Sequence, residues 1–147
     1  SGNSGVRSLI LDFLGFSKFQ IPAHTVCDLT PIRIIEKVDP NWDGVYKIRI
    51  LRKKRGSEPI QGIKGPGQII YIGSSLGKSP SSGIRFRLRR HLKSIIHTND
   101  CMCKVRKLYH LEFSVKVTKR KDARDYEKIE KEAYLKTFGE YPLCTGR

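Results

Sequence analysis

Apolar residues recur along the chain with two periods, and the places where the period changes divide it into elements. Leu9, Ile10, Phe13 and Leu14 have helical spacing within Val6–Phe16 and predict a short accessory helix ending near Gly15. Residues 17–43 mix polar and apolar positions, are punctuated by Pro22, Pro31 and Pro40, and read as a wrapping arm with Pro31–Ile35 extended. Val45, Ile48 and Ile50 around Tyr46 predict a strand. A basic, Gly-rich stretch follows, then a second apolar strand at Ile69–Ile72, giving a hairpin with an enlarged loop. Ile84, Leu88, Leu92, Ile95 and Ile96 predict an amphipathic helix over 84–96, and Leu108–Thr118 alternates as a third strand. Asp122 offers an N-cap to a helix running to about Phe138, stopped by Gly139 and Pro142. The order β-β-α-β-α predicts an α+β fold: a small, mainly antiparallel three-stranded sheet flanked by helices, with residues 1–43 as a helical and extended arm and 44–147 as the domain.

A chain of 147 residues accommodates one core of ordinary size and not two. The 29 Lys and Arg against 14 Asp and Glu leave a formal charge of +15, which points to a polyanionic partner. No apolar run approaches the roughly 18 residues of a membrane span, and the first residues lack a signal-peptide pattern. Ser1–Gly5 reads as a frayed tail. Cys27, Cys101, Cys103 and Cys144 are too irregularly spaced for a disulfide scaffold, so the expectation is a soluble, cytoplasmic protein with reduced thiols.

Two tyrosines sit in related settings. Gly44-Val45-Tyr46 opens the first strand and Tyr71-Ile72-Gly73 closes the second, so antiparallel pairing makes them neighbours. On the next helix Arg87 and His91 lie one above the other beside the apolar face, a pair able to hold a phosphate. The last helix carries Glu127, Glu130 and Glu132, and one carboxylate among cations is what a hard divalent ion needs. Taken singly, each feature also has a plain structural reading: good strand and turn residues, a solvated basic face, and i,i+4 ion pairs.

Together, the order Gly-x-Tyr, Tyr-Ile-Gly-Ser, Arg-x3-His and a glutamate followed by Pro resembles the GIY-YIG endonucleases over about residues 43–145. The resemblance implies a metal-dependent DNA endonuclease that leaves 5′-phosphate ends, with Mg²⁺ as cofactor and Mn²⁺ able to substitute. It matches Tyr46, Tyr71, Arg87 and His91 to the family's site and favours Glu132 as metal ligand, because Glu-Ala-x-Leu with Phe138 and Pro142 downstream looks like the family's helix; Glu130 is the rival. Thr145 stands where the family often has Asn. Under this reading Tyr46 orients or deprotonates the attacking water, with its pKa lowered by the cations around it or its task shared with the metal. Tyr71 and His91 hold phosphate and water in line.

The enlarged loop supplies Arg52, Lys53, Lys54, Arg55 and Lys64 as candidate DNA contacts, joined by Ser74, Lys78, Arg85 and Arg90. No separate DNA-reading domain is evident, which favours a compact restriction-type enzyme, with monomer and dimer both left open, over a repair or mobile-element nuclease. A basic nucleic-acid-binding module without catalysis is the alternative from another class. Gly73–Ser79 falls one residue short of a Walker A spacing, and His97, Cys101, Cys103 and His110 have no standard zinc spacing.

Overall fold

The computed structural model describes residues 9–11, 17–20, 37–75, 83–92 and 100–145. Its elements are β1 (Leu9–Leu11), β2 (Ser17–Gln20), β3 (Asp43–Lys53), β4 (Ile69–Ser74), α1 (Ile84–Leu92), α2 (Asp100–Leu108), β5 (Tyr109–Thr118), a 3-10 turn (Arg120–Asp122) and α3 (Ala123–Phe138). The fold is α+β. Among the described residues one antiparallel sheet runs in the order β1-β2-β5-β3-β4, so the three expected strands are contiguous and two short ones extend the β5 side.

Three expectations are corrected. Leu9–Leu11, expected in a helix, pairs with β2 as a strand; so short an apolar run fits either period, and the sheet gives its backbone partners. Helix α2 was not predicted, because only Met102 and Val105 of its nine residues are buried, and Leu108 closes it rather than opening β5. Asp122 occupies the N-cap position of α3 without a side-chain cap bond. Pro31–Ile35, Ile95 and Ile96 lie outside the described residues. No helix among the described residues is long and apolar enough to cross a membrane.

The two sheet faces do different work. Tyr46, Ile48 and Ile50 of β3 and Leu111, Phe113 and Val115 of β5 join Ile84, Leu88, Met102 and Val105 in the main core. The opposite face presents Val45 and Ile72, against which Tyr134 of α3 packs. That face also carries Lys47, which pairs at 2.8 Å with Glu130 of α3.

Strand β4 is the outer strand, and the C-terminal segment covers part of its free edge. Cys144 N–H donates to the Ile70 carbonyl at 2.8 Å, and Ile72 N–H donates to Thr145 Oγ1 at 2.9 Å. Cys144 is also disulfide-bonded to Cys101 of α2, which overturns the expectation of four reduced thiols; the pairing brings together residues 43 apart in sequence. Spacing alone could not reveal it, since it depends on where the C-terminal segment docks. The Gly73–Ser74 end of β4 lies beyond this cover.

The enlarged loop is folded rather than free. Ser57 Oγ donates to the Leu108 carbonyl at 3.0 Å, Ile60 N–H donates to the Tyr109 hydroxyl at 2.9 Å, and Ile60 and Ile63 pack on the core.

Candidate active site

Register brings the two tyrosines together: Tyr46 pairs with Gly73, and Ile48 with Tyr71. Both motif glycines are sterically required. Gly44 has φ +147°, and a Cβ there would lie 1.9 Å from the Lys116 carbonyl oxygen; a Cβ on Gly73 would meet the Tyr46 hydroxyl at 2.5 Å. The tyrosine rings lie nearly parallel with centroids 5.9 Å apart, and His91 of α1 leans on Tyr71 at 4.3 Å. His91 Nε2 is 3.1 Å from the Tyr46 hydroxyl, while its buried Nδ1 has no hydrogen-bond partner.

Burial sets the charge states of this cluster. Tyr46 is fully buried, which together with Tyr71 raises its pKa well above the usual phenol value, and Arg87 offsets this only in part. The expected lowering by surrounding cations is therefore reversed, since desolvation of a phenolate outweighs one nearby guanidinium. Burial, then Arg87 and Arg90, lower the His91 pKa to about 4, so the ring is neutral at physiological pH. For Arg87, burial opposes the charge, but Tyr46, Tyr71 and Glu127 more than compensate and raise its pKa.

A cavity of about 460 Å³ opens around the uncovered end of β4, lined by Tyr71, Gly73 and Ser74, by Arg87 of α1, and by Glu127 and Glu132 of α3, with Tyr141 and three cations completing it. It straddles the sheet edge, taking Tyr71 and Arg87 from one face and Ser74 and Glu127 from the other. Tyr46 and His91 stand behind its wall rather than in it.

The three glutamates separate cleanly. Glu130 is committed to the buried Lys47 on the underside of the helix. Glu132 reaches the cavity from an exposed position. Glu127, which the sequence pattern did not favour, accepts a hydrogen bond from Ser74 Oγ, lies 2.5 Å from Lys131 Nζ and interacts with the Arg87 charge. A signal for it existed: Ala123, Glu127, Glu130 and Tyr134 recur at spacings of four, three and four, one helix face. The apolar Tyr126 and Ile129 of α3 lie off that face and are 37% and 55% exposed.

Among the described residues no three His, Cys, Asp or Glu side chains gather to enclose a metal ion. The Lys131 ammonium beside Glu127 nevertheless occupies a cation's place, so a single-carboxylate site for a mostly hydrated ion fits. Cys101 is used in the disulfide and His97 lies outside the described residues, as does Lys78. Arg52 and Lys53, expected in the loop, instead close β3 and are exposed, as are Arg55 and Lys64 of the loop itself; Lys53 Nζ donates to the Ser57 carbonyl at 2.5 Å, and Lys54 is half-buried. On α1, Arg90 stacks over Phe86 with its guanidinium carbon 5.8 Å from the ring centre, and Arg85 is half-buried.

Comparison of the chain with protein-family models, with curated proteins and with solved structures gave no match in any of the three.

Proposed function

We propose that this protein is a metal-dependent DNA endonuclease of the GIY-YIG type, hydrolysing phosphodiester bonds to leave 5′-phosphate ends. The supporting observation is the convergence on one cavity of a tyrosine from β4, an arginine from α1 and a glutamate from α3, backed by a second tyrosine from β3 and a histidine. A phosphate-binding module has use for the cations but none for a carboxylate beside them, because it repels the ligand.

Each side chain has a physical task in this reading. Arg87 lies where it can neutralise the additional charge of a pentacovalent phosphorane-like transition state. Tyr71, on the cavity wall, orients the attacking water. Tyr46 keeps its proton, so it serves as a hydrogen-bond donor and positioning group rather than as the phenolate base, and neutral His91 holds it. Glu127 is the metal ligand, with Ser74 fixing its carboxylate and Lys131 ceding its place. A Mg²⁺ held by Glu127 would supply Lewis-acid polarisation of the phosphate and offset the charge of the departing 3′-oxygen.

Supercoiled plasmid incubated with the protein and Mg²⁺ or Mn²⁺ at near-neutral pH tests the reading. Nicked or linear products with ligatable 5′-phosphate ends, abolished by a chelator, are expected. Plasmid that is bound but stays supercoiled under all these conditions selects the binding module instead.

A further inference from the structure

The cations nearest the cavity are not those of the enlarged loop. Lys121, Arg124, Lys128 and Lys131 follow one another at spacings of three, four and three residues, which sets them in one row along the 3-10 turn and α3. The first three are exposed, and the last three form part of the cavity wall. Of the acidic residues among them, Asp125 and Glu127 point roughly a quarter turn to either side of the row, Glu127 being paired with Lys131, and Asp122 and Glu130 lie farther round the helix. From Arg124 to Lys131 the helix rises about 10 Å, roughly three phosphate steps of one strand along a duplex axis.

The loop cations are placed differently. Arg52 is six residues along β3 from Tyr46, about 20 Å at the rise of a strand, and it leads away from the cavity end of the hairpin. Lys53 is engaged with the loop's own carbonyls.

We propose that the row Lys121–Arg124–Lys128 seats the phosphate backbone of duplex DNA beside the cavity, and that the loop cations lie outside this contact. The proposal rests on the nuclease reading and names the surface by which that site takes its polymer. Cations in a row at phosphate spacing carry no sequence information, so they set position and affinity rather than specificity.

The test is fluorescence anisotropy with labelled duplexes of two unrelated sequences in the presence of a chelator, so that no cleavage interferes. Lys121→Ala/Arg124→Ala/Lys128→Ala should weaken binding alike for both sequences and reduce the slope of log K against log salt by about 2 to 3, as expected for three lost phosphate contacts. Arg52→Ala/Arg55→Ala should leave the slope unchanged. The charge-preserving pair Arg124→Lys/Lys128→Arg should retain it, and equal melting temperatures exclude misfolding. A slope lowered by the loop variant, or unmoved by the α3 variant, overturns the proposal. Binding is read without metal, so absence of plasmid cleavage by the unaltered protein would count against the nuclease reading alone.

Discussion

A methyl group on Gly73 would meet the Tyr46 hydroxyl at 2.5 Å and the edge of Tyr71 at 2.8 Å, and both rings are held by His91. Gly73→Ala should therefore move the site tyrosines and destabilise the fold by about 1–3 kcal/mol, as overpacking does; chemical denaturation measures the second effect. His91 makes its own prediction. Between pH 6.5 and about 4 the unfolded chain takes up a proton that the folded ring refuses. Its contribution is thus complete above pH 6.5 and is lost as the pH falls, by on the order of 3 kcal/mol. In His91→Gln the melting temperature should fall less steeply over that window, and an unchanged slope would remove His91 as its source.

Helix α3 is tied to the sheet by Tyr134, by the Ser74–Glu127 hydrogen bond and by the ion pair Lys47–Glu130, whose side chains are only 5% and 13% exposed. Lys47→Met should cost about 3 kcal/mol because it strands a carboxylate, whereas Lys47→Met with Glu130→Leu should recover most of that loss. Comparing the two in urea checks it. This polar underside explains where the sequence was legible and where it was not. Strands β3, β4 and β5, helix α1 and the length of α3 followed from period and stop signals, because the strands and α1 each turn apolar residues to the main core, even though they also bury Lys47, Ser74, Glu112, Ser114 and His91. The orientation of α3 did not, since its inward face is Ala123, Glu127, Glu130 and Tyr134 while Ile129 points outward. A helix that covers charged chemistry reverses the usual amphipathic rule, so apolar spacing does not distinguish Glu127 from Glu132, both of which line the cavity. The tyrosines and Arg87 were readable because strand register and helical spacing are local; the edge of β4 that gathers them is not.

At the scale of the molecule, the Cys101–Cys144 bond ties α2 to the segment that caps the β4 edge, with Tyr141 of that segment in the cavity wall. Closing 43 residues of chain is worth about 4 kcal/mol in the chain-entropy account. Cys101→Ser/Cys144→Ser should lower the denaturation midpoint accordingly, and an unchanged midpoint would show that the link contributes nothing. A formal charge of +15 suits a polyanionic partner, but charge alone gives no means of cutting one. In the proposed nuclease reading, what separates cleavage from binding is the Glu127 carboxylate, whose charge acts on Arg87 in the cavity wall. The decisive measurement is the single-turnover rate of Mg²⁺-dependent DNA cleavage by Glu127→Gln beside Glu132→Gln and the unaltered protein. A metal-holding role for Glu127 predicts a loss of at least ~100-fold in Glu127→Gln with DNA affinity kept or improved, and a rate within a few-fold of the unaltered protein in Glu132→Gln. Near-normal cleavage by Glu127→Gln would contradict it.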